Sequence, residues 1–476
     1  MGLDRERRAS APAATRRRGG RLKALLAAGV LGAGALAALP AAGADTLRAA
    51  LADAYRNSPL IEANRALLRA SDENLVQALA AMKPVFNLTA GSTWIDPVPF
   101  GGNRVTTTVS LSASLAIHDG GASRLAALSA EESIRSLRAS LQDVEQQVFL
   151  AVVKAYLDLR RDERYLELAR NSVKVLQEQL QATEDRFAVG EVTRTDVAQA
   201  RARLEAAKAN LAARKGNVEI SRAVFREVVG RPPHPPLAAP PLPKGLPVSE
   251  EAARKAALTR HPRIRAQQHG VKAAELAAER AKAALGPRLD GTAALSGSST
   301  TGRSATIGLT LTVPLYQGGR LTSLYRQALE NAAKARADLL GASRQVSREA
   351  TAAWARLRIA RAAIEARKEQ LAAAETAFEG VREEARLGVR TTLDVLNAEQ
   401  EVLTAGADLA SARRDYHLAA HTLLAATGRL TARALALPVR RYDPVAHYRK
   451  VNGDDPLGRK GRAIDRILRR AGRQPK

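Results

Sequence analysis

Residues 105–117 alternate without a break. Val105, Thr107, Val109, Leu111, Ala113, Leu115 and Ile117 fall on one side of an extended chain, and Thr106, Thr108, Ser110, Ser112 and Ser114 on the other. Further along, Ile307, Leu309, Leu311, Val313 and Leu315 oppose Thr306, Gly308, Thr310 and Thr312. Each run is preceded by a shorter partner: Phe86, Leu88, Ala90 and Trp94 in the first case, Leu289, Gly291, Ala293 and Leu295 in the second. A period of two with one apolar face marks a half-buried strand. The pattern therefore predicts two β-hairpins, over residues 85–117 and 288–317. Because the second face is nearly all Ser and Thr, a wet lumen behind a lipid-facing exterior fits it. A soluble sandwich would need many more strands at regular spacing. Four are also too few for a membrane barrel, whose smallest forms have about eight, and in lipid every strand edge must be paired. Two chains would supply eight strands and three would supply twelve, so the barrel has to be shared between subunits.

After each hairpin the period changes. No proline lies between Pro99 and Pro232, or between Pro314 and Pro438. Ile134, Leu137, Leu141, Val144 and Val148 step by three and four, while Leu357, Ile364, Leu371 and Phe378 step by seven. These are the seams of helices packing as coiled coils. From Gly121 to Val189 is 69 residues, on the order of 100 Å of helix at the usual rise per residue. Such a helix makes a rod or a tube, not the core of a compact domain.

The chain then says all this again. Gly190, Thr193 and Asp196 recur as Gly388, Thr391 and Asp394, and Gly120-Gly121 as Gly318-Gly319, all at an offset of 388 − 190 = 198. Upstream, a helical pattern pauses at Asn57-Ser58-Pro59 and stops at Pro84; it returns pausing at Arg260-His261-Pro262 and stopping at Gly286-Pro287, offset 287 − 84 = 203. The first copy thus holds 203 − 198 = 5 more residues before its Gly-Gly, and residues 95–102, with Pro97, Pro99 and Gly101-Gly102, are the place for a longer hairpin loop. A duplicated unit is the first thing to recognise in a chain. The predicted organisation is a leader over 1–44, a first repeat over 45–230, a stiff proline-rich connector over 231–247, a second repeat over 248–429, and a C-terminal segment with a basic tail over 430–476, which the resemblance described below would place in the periplasm. The helix-hairpin turns fall near 190 and 388.

Composition narrows the chemistry. Residues 1–44 combine eight basic residues, an apolar run over 24–39 and Ala42-Gly43-Ala44 before Asp45; a basic start, short apolar run and small-x-small end describe a cleaved secretion signal. Cysteine is absent, which removes disulfides, thiolate metal sites, a cysteine nucleophile and a lipid-bearing cysteine together. The formal charge is +26, of which 8 − 2 = 6 belongs to the leader. The rest is scattered among acids along the helices without aromatic interleaving, so it describes a solvated helical surface and no nucleic-acid partner. His417 and His421 stand four apart on a helix, with no acid at a spacing that completes a metal site, and are expected as a surface pair. Gly120-Gly121 and Gly318-Gly319 lack the Lys-Ser/Thr of a phosphate loop and read as strand-to-helix turns. No nucleophile–base arrangement is present; the expectation is no catalysis, no metal and no cofactor.

Phe187-Ala188-Val189-Gly190-Glu191-Val192-Thr193-Arg194-Thr195-Asp196-Val197 and Leu387-Gly388-Val389-Arg390-Thr391-Thr392-Leu393-Asp394-Val395-Leu396-Asn397 resemble the two helix-to-helix turns of the TolC-type outer membrane factors. Val313-Pro314-Leu315-Tyr316-Gln317-Gly318-Gly319-Arg320 resembles their strand-to-helix junction, and residues 46–59 their opening helix. The likeness runs over roughly 45–429. It implies a mainly α protein with a membrane β-barrel. Four strands per chain would join a shared, trimeric, twelve-stranded barrel in the outer membrane, above a coiled-coil α-helical tunnel through the periplasm. It chooses three subunits where the strand count left two or three. It also implies a periplasmic adaptor and an inner-membrane transporter as partners, with outer-membrane lipid around the barrel.

Within that resemblance Asp196, Arg390 and Asp394 fall on positions that hold the periplasmic entrance shut, the arginine tying neighbouring helices together and the aspartates ringing the pore, with Thr195 and Asn397 beside them. Asn397 stands where a second ring aspartate is often found, and Ala385 where an aromatic latch can occur. The plainer role for Asp196 and Asp394 is as acids near helix N-termini. The missing lipid-bearing cysteine favours type I secretion with an ABC transporter; the alternative is multidrug or metal efflux with a proton-driven pump. A periplasmic coiled-coil adaptor is the rival from another class.

Overall fold

The computed structural model describes residues 45–95 and 104–453. The predicted leader, the long hairpin loop and the basic tail lie outside the described residues. What is described is one unit built twice in the same order. The first copy runs α1 (Leu47–Asn57), α2 (Pro59–Ala80), β1 (Val85–Ile95), β2 (Arg104–His118), α3 (Ala122–Ala188) and α4 (Arg194–Val229). The second runs α5 (Glu250–Arg260), α6 (Pro262–Ala283), β3 (Arg288–Ser298), β4 (Gly302–Thr312), α7 (Arg320–Arg386) and α8 (Thr392–Ala426), and α9 (Ala446–Gly453) follows. The short helices match at 11 and 22 residues, and α3 and α7 at 67 each. Eight residues separate β1 from β2 and three separate β3 from β4; 8 − 3 = 5 is the insertion that the two offsets required.

Local chemistry sets the boundaries. At the first pause Ser58 ends α1, its hydroxyl accepts from the Ile61 N–H at 3.4 Å, and Pro59 starts α2 where a missing N–H costs nothing. In the second copy a histidine does this: His261 Nδ1 accepts from the Arg263 N–H at 3.2 Å, ahead of Pro262. Burial holds the pKa of His261 below the usual imidazole value, which keeps that nitrogen available as an acceptor. α3 contains neither glycine nor proline. Both long helices begin behind a glycine in the left-handed region, Gly121 at φ 82° and Gly319 at φ 80°. Asp119 adds a side-chain turn in the first copy, accepting from the N–H groups of Gly121 (3.0 Å) and Ser123 (2.8 Å).

The strands form one antiparallel sheet in the order β1-β2-β3-β4. Its register puts Leu88, Leu111 and Leu295 side by side, and Asn87, Ser112, Ala294 and Thr306 on the opposite face. A bulge between Ala116 and His118 turns Ile117 over Gly291, where a Cβ would stand 3.0 Å from the Ile117 Cδ1. β4 stops at Thr312, short of the alternation that pointed to 317. Pro314 has no N–H to give a neighbouring strand, and Val313 and Leu315 stay exposed beyond the ladder.

The helices lie side by side: α3 against α4, α8, α6 and α2, and α7 against α8, α6 and α5. The largest core sits midway along them. Tyr55 of α1, Phe149 and Tyr156 of α3, Phe225 of α4, and Leu237, Leu430 and Leu437 of the connecting segments close on one another there. The Tyr156 hydroxyl is 2.7 Å from the carbonyl oxygens of Asp45 and Ala238. Arg231 ties the start of the described chain to the connector, its Nη1 and Nη2 donating to the Asp45 carboxylate at 2.7 and 2.8 Å and its Nε to Asp53 at 2.7 Å. The second copy is packed differently from the seam expected of it. Val346, Ala353, Ala360 and Ala374 are the buried column of α7, while Leu357, Ile364, Leu371 and Phe378 are only half-buried beside it. Val346 and Ala353 close on Ala253 and Ala257 of α5, Ile264 of α6 and Leu423 of α8, and the larger side chains stand at the rim.

Candidate functional site

The two regions with functional character are the sheet and the pair of helix-hairpin turns. On the sheet, Leu88, Trp94, Val105, Leu111, Leu295, Ile307 and Leu309 are all exposed on one face. A contiguous apolar surface of this kind is foreign to a water-facing sheet. The opposite face carries hydroxyls, some paired across strands, as Ser296 with Ser304 at 2.7 Å. β1 and β4 each present an edge with no partner among the described residues. No helix among the described residues is long and apolar enough to cross a membrane.

At the far end α3 closes with Gly190 at φ 83° and α7 with Gly388 at φ 80°. The N–H of Glu191 returns to the Arg186 carbonyl and that of Val389 to the Glu384 carbonyl, each at 2.9 Å. This is the left-handed closure that glycine permits at lowest cost. The next helices then start with paired capping boxes. Thr193 accepts from the Asp196 N–H at 3.3 Å while Asp196 Oδ2 accepts from the Thr193 N–H at 2.8 Å, and Thr391 and Asp394 repeat this at 3.3 and 3.0 Å. The Thr193 hydrogen bonds hold the Asp196 carboxyl below its ordinary pKa, and the Thr391 backbone N–H and hydroxyl do the same for Asp394. Both acids are therefore ionised and committed to caps within their own hairpins.

Arg390 is likewise turned back on its own hairpin, its Nε donating to Glu384 at 2.8 Å. Thr195 is exposed and Ala385 buried. Asn397 does cross between hairpins: its Oδ1 accepts from Arg203 Nη2 of α4 at 3.2 Å. Beside it lies the contact that sequence reading missed, Leu396 of α8 buried against Leu176 of α3 and Leu204 of α4. Leu176 and Leu204 lie 28 residues apart and Leu396 another 192 further on, so no local period links them.

His417 and His421 are not a surface pair. His421 is buried, with its Nδ1 2.7 Å from the His417 carbonyl. Burial pushes the His417 pKa down to about 4, so it is neutral at any ordinary pH. His417 stands beside Arg160 of α3. No group of three or more His, Asp or Glu among the described residues is placed to hold a metal ion.

The sequence profile of the family described as "Outer membrane efflux protein" matches residues 50–231 and 253–429. The outer membrane efflux protein BepC of Brucella suis biovar 1 (strain 1330) is 35% identical over 443 residues, covering 90% of this chain and 95% of BepC. The alkaline protease secretion protein AprF of Pseudomonas aeruginosa is 29% identical over 288 residues, 57% of this chain and 59% of AprF. Among solved structures, the Campylobacter jejuni CmeC outer membrane channel matches with a TM-score of 0.73 at 16% identity, covering 86% of this chain and 90% of that one. At that identity the likeness concerns the fold alone.

Proposed function

The chain belongs to the outer membrane efflux protein family, and on that premise we propose that it is the efflux duct of its cell, working beside a proton-driven pump. Membership makes it the outer-membrane channel component of a tripartite export system, with its long helices in the periplasm and an adaptor and an inner-membrane transporter as partners. Three copies complete the channel: each sheet brings four strands, and the free edges of β1 and β4 join neighbours into twelve. The observation that carries this reading is a four-stranded sheet with one apolar face, two open edges and two 67-residue helices descending from it. It can be satisfied in lipid only by closing on other copies of itself.

Efflux is preferred over type I secretion because the likeness to BepC spans nearly the whole of both chains, whereas that to AprF covers 59% of the relative. The absence of a lipid-bearing cysteine, which favoured secretion, concerns only how the chain is anchored. Removing the protein from its cell should lower the tolerated concentration of several unrelated toxic compounds and leave the secreted proteins unchanged. Unchanged tolerance with loss of one secreted protein would replace efflux by secretion through an ABC transporter.

The hairpin ends form the periplasmic entrance. Asp196 and Asp394 give it negative charge, with Thr195 and the uncharged Asn397 beside them, and Arg390 is neutralised by Glu384. Carboxylates around a narrow pore favour cations. Asp196→Asn with Asp394→Asn should move the reversal potential under a salt gradient toward anions. No movement would leave the two acids as helix caps only.

A further inference from the structure

Asp196, Asp394 and Arg390 all bond inside their own hairpins, so none of them joins the first hairpin to the second within a subunit. Leu396 does. It sits on α8 two residues past Asp394, is 2% exposed, and is enclosed by Leu176 and Leu204, each 5% exposed, with Val173, Leu180 and Ala207 around them. We propose that Leu396 in its Leu176–Leu204 seat is an apolar latch that holds the second hairpin against the first and keeps the entrance closed. This rests on the channel reading above.

The position suits a latch. Ten residues further along α8, Gly406 lies against α3: a Cβ on Gly406 would stand 3.4 Å from both Leu168 methyl carbons. Ten residues of helix is about 15 Å. A swing of the lower part of α8 about the Gly406–Leu168 contact withdraws Leu396 from its seat while the helices stay packed above. The rim of the seat is polar. Arg203 reaches Asn397, and the Glu399 carboxyl lies buried against the Ser172 hydroxyl with Arg203 facing it. Burial raises the pKa of Glu399. The Arg203–Asn397 hydrogen bond is exposed to water and of ordinary length, so the apolar contact carries most of the hold.

The assay is single-channel conductance of the full-length assembly in planar bilayers, with the natural chain as reference. Leu396→Ala removes the plug, and the open-to-closed ratio should rise by roughly tenfold or more. Because the contact is uncharged, the rise should persist between low and high salt. Arg203→Ala should move the ratio far less. The chain has no cysteine, so Leu204→Cys with Leu396→Cys introduces the only disulfide available; oxidation should lock the small conductance and a reductant restore it. That reversible pair is its own folding control. Four results overturn the latch: unchanged gating in Leu396→Ala, an equal effect from Arg203→Ala, a cross-linked channel that opens fully, or a cysteine pair that does not cross-link. A natural chain that conducts no ions would instead sink the channel reading itself.

Discussion

Arg231→Leu takes away a guanidinium that makes three side-chain hydrogen bonds of 2.7–2.8 Å, two to Asp45 and one to Asp53. The Asp45 side chain is 3% exposed, so it cannot recover its lost partner from water; Asp53, at 21%, can. Breaking a fully buried pair costs about 3–5 kcal/mol. The Arg231 side chain is 22% exposed, and solvent screening brings the expected loss to about 2–3 kcal/mol at pH 7. The sign of the pH dependence is the sharper part. In the natural protein burial pushes the Asp45 pKa up, but the Arg231 bonds and the His234 N–H outweigh it and the net is a depressed value. That carboxylate adds stability above its unfolded pKa and loses it as pH falls through the folded one. In the variant the Arg231 bonds are gone and burial is opposed only by His234, whose N–H still reaches the carboxylate at 3.3 Å, so the folded pKa moves up and acidification relieves the strain. Thermal midpoints in one detergent should show a deficit that is large at pH 7 and shrinks toward pH 4. Adding Asp45→Asn to the variant should recover part of the pH 7 deficit. A deficit of the same size at both pH values, or a double variant no more stable than Arg231→Leu, would refute the account.

Three further outcomes follow from the geometry. Gly190→Ala and Gly388→Ala have open space around the new methyl and pay only for a left-handed residue, about 1–2 kcal/mol, whereas Gly230→Ala at φ 84° also meets the Asn57 Cβ at 2.8 Å; melts should rank Gly230→Ala as clearly the worst of the three. Ser112→Cys and Thr306→Cys, which share the hydroxyl face, should react with a membrane-impermeant thiol reagent entering the lumen, and Leu111→Cys and Ile307→Cys should not. Reaction confined to the leucine and isoleucine positions would turn the sheet inside out. Thr193→Ala and Thr391→Ala each remove one cap, worth about 1 kcal/mol, and amide exchange should speed up in the first turns of α4 and α8 while the middle of α3 stays protected; uniform acceleration would mean that the turns are coupled to the whole bundle.

Much of the architecture could be read along the chain because its causes are local. Alternation over residues 105–117 needs only the two-residue period of a strand, and the Thr193–Asp196 and Thr391–Asp394 boxes need only three residues of spacing. The duplication made each reading a check on the other, down to the five-residue difference in the hairpin loops. Alanine was harder. It is apolar enough to be buried and small enough to be overlooked, so the heptad of large residues on α7 drew attention to the rim of a seam whose floor is Val346, Ala353, Ala360 and Ala374. The histidines failed for a related reason, since a helix face that looks polar in projection can be covered by a neighbour.

By itself, then, the order of residues determined the periods of the duplicated strands and helices, the glycine turns that end the long helices, and the four strands of the sheet. Only the tertiary structure decided which side chains meet: that Arg390 turns back to Glu384 within its own hairpin, that Arg203 reaches Asn397, that Leu396 seats between Leu176 and Leu204, and that Arg231 grips Asp45. Secondary structure is dictated by neighbours within a turn or two. A contact between residues some two hundred positions apart depends on how far one rod has slid along another, and the packing of the entire bundle sets that distance.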